Sequence, residues 1–229
     1  MAKKVGKIEE QMIAVESALS RSERFLEENY KVVIGIIGGI IIIVLGVFGY
    51  IKYVKEPRER EAQSQIFMAQ RYFEADSLSL ALNGDGNALG FLAIADEYSS
   101  TKAGKLANYY VGISYLKMGE FDNAINHLEK FKSKDEIVSC MAIGAIGDAY
   151  LEKGDMDNAL KQYKKASENK VNTFTTPLFL MKSGLVHELK GEWDKALALY
   201  KTIKKDYYKS FEAQEIDKYI ARAEANLIK

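Results

Sequence analysis

One short phrase returns three times along this chain and confines it to one kind of architecture. It reads Gly112-x2-Tyr115-x3-Gly119-Glu120-Phe121-Asp122-x-Ala124, then Gly147-x2-Tyr150-x3-Gly154-Asp155-Met156-Asp157-x-Ala159, then Gly184-x2-His187-x3-Gly191-Glu192-Trp193-Asp194-x-Ala196. The opening glycines lie 35 and 37 residues apart, close to the roughly 34-residue period at which helix–turn–helix units recur. A unit of that length cannot bury its apolar face alone. Stacked neighbours do so together, so the period predicts an array of helix pairs, a design that usually holds other proteins.

Each position in the phrase has a packing reason. The first glycine is expected where the first helix of a pair presses on the second, with Tyr115 or Tyr150 filling the space beside it. Gly119, Gly154 and Gly191 are expected to end the first helix in a left-handed conformation. Asp122, Asp157 and Asp194 then fall at the start of the second helix, where a carboxylate favours the positive helix end. Ala124, Ala159 and Ala196 mark its point of close approach, and Phe121, Met156 and Trp193 read as aligned core anchors. Residues 62–95 read as a degenerate fourth unit through Ala69-x2-Tyr72, with a loop from Asp76 to Asn87 in place of the short turn. Asn83-Gly84-Asp85-Gly86 is the turn signal inside that loop. Thr101 is an expected N-cap, and residues 211–227 an expected closing helix.

A second feature sets the location. Val32 to Ile51 is 20 residues without a charge, about 30 Å of helix, which matches the hydrocarbon thickness of a bilayer. Lys31 and Lys52 bracket it, with Tyr50 and Tyr53 at interfacial positions. The run is too long for a signal-peptide core and is read as a permanent single span. Gly35, Gly38, Gly39, Gly46 and Gly49 share one arc of that helix, and small residues on one stripe allow close approach of another membrane helix. They form a candidate docking seam, beside the plainer reading that glycine is common in membrane helices. Basic residues are nearly balanced across the span, three in residues 17–31 and four in residues 52–66, so charge does not set the orientation. Residues 1–31 read as an amphipathic arm through Ile8, Met12, Val15, Leu19 and Leu26. The expected organisation is therefore arm 1–31, span 32–51, linker 52–61 and repeat domain 62–229.

Composition excludes several classes. The chain has 32 basic and 32 acidic side chains and no net charge, which argues against nucleic acid, a ligand that selects basic faces. The single Cys140 rules out an internal disulfide and reads as a buried thiol. His127 and His187 have no Cys or carboxylate cluster at ligand spacing, and the Asn83–Gly86 turn lacks the ligand pattern of a calcium loop. No nucleophile with its base is found, so the chain is read as a non-enzyme with no metal, cofactor or small-molecule substrate.

The period, the small-residue positions and the helix–turn–helix punctuation are those of tetratricopeptide repeats. In that superhelix, first-helix positions line the inner groove. Here they give Leu106, Tyr109, Ile113 and Leu116, then Met141, Gly144, Asp148 and Leu151, then Leu178, Met181, Leu185 and Glu188. The Lys and Asn positions that grip a terminal carboxylate are missing, which leaves an apolar, Met- and Tyr-bearing trough as the candidate protein-binding groove. Alternatively, neighbouring helices bury several of these residues.

Phe25-Leu26-Glu27-Glu28-Asn29-Tyr30-Lys31, followed by the glycine-rich span and Tyr50-Ile51-Lys52-Tyr53, resembles the start of YfgM-like proteins. These are bacterial inner-membrane proteins with one N-terminal anchor and a periplasmic tetratricopeptide domain. They are associated with the Sec translocon and with a membrane-anchored prolyl isomerase-like chaperone. In layout the resemblance covers nearly the whole chain; the Asn83–Gly86 loop falls outside it. It implies an all-α protein of three clear repeats, one degenerate repeat and a capping helix, with residues 52–229 in the periplasm. The implied role is a scaffold whose partners are translocon subunits, a periplasmic chaperone or emerging chains. A scaffold for another cell-envelope complex is the alternative.

Overall fold

The computed structural model describes residue 25 and residues 28–228. The arm residues Ile8, Met12, Val15, Leu19 and Leu26 lie outside the described residues. The chain divides into two compact units, Met1–Pro57 and Arg58–Lys229.

In the first unit, residues 28–50 form an α-helix, α1. One helix of the described residues, Glu28–Glu74, is long and apolar enough to cross a membrane, and none of its apolar window is buried against the rest of the chain. A Cβ built on Gly35, Gly38, Gly39, Gly46 or Gly49 meets no atom within 4 Å. After α1 the backbone widens into one π-helical turn, Ile51–Lys55, in which the Glu56 N–H returns to the Ile51 carbonyl. Pro57 explains the widening. It offers no N–H, and its ring crowds the carbonyl four residues earlier, so a looser turn absorbs it without a break.

From Glu56 onward, helices alternate. These are α2 (Glu56–Glu74), α3 (Leu78–Asn83), α4 (Phe91–Glu97), α5 (Lys102–Lys117), α6 (Phe121–Lys130), α7 (Glu136–Glu152), α8 (Met156–Asn169), α9 (Thr175–Leu189), α10 (Trp193–Asp206) and α11 (Ile216–Leu227). Each helix from α4 onward packs on the next, and α5, α7 and α9 also touch in a row. The three phrases are three hairpins: α5–α6, α7–α8 and α9–α10. Gly119, Gly154 and Gly191 all have φ between 72° and 80°. At each, the glycine N–H and the following N–H fold back on the helix, as in Gly119 N to Leu116 O at 3.1 Å and Glu120 N to Tyr115 O at 2.9 Å. That double return satisfies carbonyls a helix end otherwise leaves open.

The glycine that opens each phrase lies where expected. A Cβ on Gly112 would stand 2.4 Å from Leu128 Cγ, on Gly147 2.6 Å from Tyr163 Cε1, and on Gly184 2.3 Å from Tyr200 Cε1. Ala124, Ala159 and Ala196 are fully buried opposite them. Thr101 caps α5, accepting from the Gly104 N–H at 2.9 Å.

The degenerate unit differs from the sequence reading. Asp76 takes the left-handed conformation (φ 55°), and Ser77 N returns to Tyr72 O at 2.8 Å. Asp76 therefore stands where the other units have glycine, and the first turn is as short as theirs. The stretch read as loop from Asp76 to Asn87 contains α3, with Ala81 buried at the close-approach position. The insertion instead splits the second helix, between α3 and α4. Asp85 holds it closed: its carboxylate accepts from the Asn87 and Ala88 N–H groups and from the Tyr72 hydroxyl. The tyrosine bond, then the two backbone bonds, lower the Asp85 pKa below the usual carboxylate range.

One ion pair recurs from unit to unit. Lys117 reaches Asp76 at 2.5 Å, Lys153 reaches Asp122, and Lys190 reaches Asp157. In each case a lysine near the end of one first helix meets an acid at the start of the preceding second helix. The array closes with a 3-10 turn at Glu212–Glu215 followed by α11, whose Ile216 and Ala223 pack on Ala196, Tyr200 and Ile203. The closing helix thus begins later than the expected residue 211.

Candidate protein-binding groove

The row of first helices carries an open cleft of about 480 Å³, lined by Leu116, Phe121, Asp148, Leu151, Glu152 and Lys182 among others. Three of these, Leu116, Asp148 and Leu151, are expected groove positions on successive repeats. The helix pitch places them on one face, and the α5–α7–α9 row brings that face together.

The other expected positions divide by their neighbours. Leu106, Tyr109 and Ile113 pack, with Leu116, partly against Leu128, Phe131, Ala142, Ala145 and Ile146. Tyr109 also meets the Phe131 ring at 5.4 Å. Met141 and Leu178 lean on the cluster around Cys140, Tyr163 and Phe179, and Met181 leans on the cluster around Tyr200 and Ile216. Gly144 is covered by the Phe179 ring, which a Cβ would meet at 1.9 Å. Leu185 is exposed. Half-buried side chains therefore form most of the trough, Leu116, Phe121, Asp148, Leu151 and Lys182 of the open cleft included.

Asp148 and Glu188 play a part the sequence did not reveal. The Tyr163 hydroxyl donates to Asp148 at 2.6 Å, and Lys182 Nζ bonds both oxygens of the same carboxylate at 2.6 and 2.8 Å. One repeat later, the Tyr200 hydroxyl donates to Glu188 at 2.9 Å, and Arg222 pairs with it at 2.6 Å. Each tyrosine of a second helix thus meets a carboxylate of its own first helix, and a cation from a later helix neutralises that carboxylate. In the first repeat Leu128 occupies the tyrosine position and Ile113 and Leu116 stand on α5, so this end of the groove is apolar. Lys182 is the residue that sequence reasoning missed; it lies 34 residues beyond Asp148, one repeat on, which is the signal that could have found it.

Burial, followed by the hydrogen bond to Asp148 or Glu188, pushes the Tyr163 and Tyr200 hydroxyls well above the usual value of 10.0. The unfolded chain therefore loses these protons first as pH rises. The stabilising contribution of these two hydroxyls is fully present below pH 10.0 and is lost above it, where the unfolded state alone is ionised. A series of thermal melts from neutral to strongly alkaline pH should show a steep loss above that point. Tyr163→Phe together with Tyr200→Phe should flatten it; equal slopes would contradict the assignment.

His127 bonds Asn108 through Nδ1 at 3.1 Å, and burial, then Lys130, lowers its pKa below 6.5. His187 bonds Glu192 at 2.6 Å. Cys140 is buried beside the Asn169 amide. Among the described residues no three His, Cys, Asp or Glu side chains gather at metal-binding distance.

Residues 106–135 and 179–210 match the tetratricopeptide repeat family. These are essentially the α5–α6 and α9–α10 hairpins, and α7–α8 between them repeats the same turn and the same glycine contact. No curated protein matches the chain. The protein is thus an all-α array carrying tetratricopeptide repeats, modules that typically bind proteins and carry no catalysis.

Proposed function

We propose that this protein is a membrane-anchored scaffold that binds other proteins, working as an accessory subunit or chaperone partner of the Sec translocon on the periplasmic face of the bacterial inner membrane. The observation that carries the reading is the pairing of an unburied apolar helix long enough to span a bilayer with a repeat array that presents an open cleft. The resemblance of residues 25–53 to YfgM-like proteins supplies the translocon, the chaperone and the compartment. The cleft offers Leu116, Phe121 and Leu151 to apolar side chains, with Asp148 and Lys182 already paired to each other. Lys117 and Glu152 stand at its rim, so it suits segments that combine apolar side chains with mixed charge, as unfolded or emerging chains do. The span would dock through Gly35, Gly38, Gly39, Gly46 and Gly49, whose faces are open in the isolated chain.

Purification of the full chain in mild detergent, followed by mass spectrometry, tests this. Translocon subunits should co-purify, and protease added to spheroplasts should remove the repeat unit. Gly35→Leu with Gly39→Leu and Gly46→Leu should leave insertion intact and reduce the partner about tenfold, since backbones no longer approach closely in lipid. The control Ile36→Leu with Ile40→Leu and Val47→Leu should not. Equal recovery with both variants would remove the seam, and subunits of a different envelope complex would replace the translocon reading.

A further inference from the structure

The turns between repeats all fall on one edge of the array. The Glu59 carboxylate accepts from the Lys102 and Ala103 N–H groups at 2.7 and 3.2 Å, and Arg58 donates to the Glu97 carbonyl at 2.7 Å. The starts of α2 and α5 therefore meet the end of α4. Asn169 donates to the Ser139 hydroxyl at 3.2 Å, and Lys170 pairs with Glu136, so the end of α8 meets the start of α7. Because the helices are antiparallel hairpins, the turns 131–135, 170–174 and 207–211 share this edge.

That edge has an unusual surface. Phe174 is 61 % exposed, Tyr208 67 % and Phe211 81 %, and Ile137 and Val171 are exposed beside them. Phe174 is held outward by a fixed turn, in which Asn172 accepts from the Phe174 and Thr175 N–H groups. Between these apolar tips stand Lys132, Lys134, Lys170 and Lys209, against the single acid Asp135 within the same turns. Lys209 lies over the Tyr208 ring at 5.5 Å. Counted over the turns in the same way, the opposite edge is acidic, with Asp76, Glu120, Asp155 and Glu192 against Lys153 and Lys190, and Trp193 begins α10 there, half-buried.

We propose that this turn edge rests on the anionic lipid surface of the membrane that anchors the chain. Exposed aromatic tips mixed with lysines are the composition of a bilayer interface: the rings sit at headgroup level and the ammonium groups meet lipid phosphates. The covalent chain supplies proximity. Only residues 52–57 separate the span from Arg58, at most about 20 Å when fully extended, and Arg58 is on this edge. The inference rests on the reading of residues 32–51 as a membrane span.

The test uses the full chain in vesicles of phosphatidylcholine brominated in its acyl chains, with and without phosphatidylglycerol. Two reporters carry Trp193→Phe with either Phe174→Trp or Phe211→Trp, at side chains exposed enough that folding is undisturbed; the unaltered Trp193 is the reference. With phosphatidylglycerol present, both reporters should be quenched about twofold or more beyond Trp193, as expected for rings at the acyl boundary. Joint reversal of Lys132, Lys134, Lys170 and Lys209 to glutamate should return quenching to the reference level. Reporters no more quenched than Trp193, in a chain that resists carbonate extraction, would overturn the docking and leave the anchor standing. Equal quenching without phosphatidylglycerol would overturn the charge selectivity. A chain extracted by carbonate would overturn both the anchor and the docking.

Discussion

Replacing Gly147 by leucine is expected to lower the thermal midpoint by roughly 6–12 °C, taking about 3 kcal/mol of overpacking and 2–4 °C per kcal/mol for a domain of this size. The first carbon of any side chain would stand 2.6 Å from Tyr163 Cε1 and 3.3 Å from the Ala159 carbonyl. Tyr163 cannot swing aside cheaply, because it is fully buried and its hydroxyl is tied to Asp148. The comparison is Gly119→Ala, where a Cβ meets nothing within 4 Å and only the left-handed backbone opposes it. That change should cost about 1–2 kcal/mol and a correspondingly smaller shift. A midpoint unmoved by Gly147→Leu would mean that α7 and α8 do not meet at this point.

Removal of residues 212–229 is expected to cost more. Tyr200, Ile203 and Ala196 are fully buried under α11, and Arg222 is the cation on Glu188. Uncovering two large side chains loses about 3–6 kcal/mol at 1.5–3 kcal/mol each, a large part of the 5–15 kcal/mol typical of a whole domain. The truncated protein should melt roughly 6–24 °C lower, given about 2–4 °C per kcal/mol. It should also aggregate through the bared α9–α10 face, since terminal repeats need a polar outer side. Arg222→Leu alone, which removes the cation but keeps the cover, should show a smaller loss. A truncated chain that melts like the intact one would show that α11 is ornamental to the array.

How far the sequence could be read depended on whether a signal was local and repeated. Gly119, Gly154 and Gly191 announce three hairpin turns because glycine alone takes that conformation without strain, and its recurrence at one period leaves no other reading. The first unit hid the same turn because Asp76 replaces the glycine. The obvious punctuation, Asn83 to Gly86, belongs to an insertion within the second helix and drew the loop to the wrong place. Tyr72-x3-Asp76 followed five residues later by Ala81 was the available clue. In the groove, the periodic positions located Leu116, Asp148 and Leu151 on one face. They could not say that Asp148 would be held by Tyr163 and Lys182, since those partners come from two other helices and meet only after the array is stacked.

The lysine–acid rungs that join each repeat to the one before it have a mechanical consequence. Every rung and every helix contact links nearest neighbours, so the interfaces stand in series. A protein held at residue 51 and pulled through a client in its cleft would pass the same tension through each interface between the client and the anchor. Yielding then begins wherever the joint is weakest, and the pair nearest residue 51 has the shortest α-helices of the array, six and seven residues long. Were that pair the first to open, the array would extend like a spring that gives beside its mounting, with the later repeats still folded.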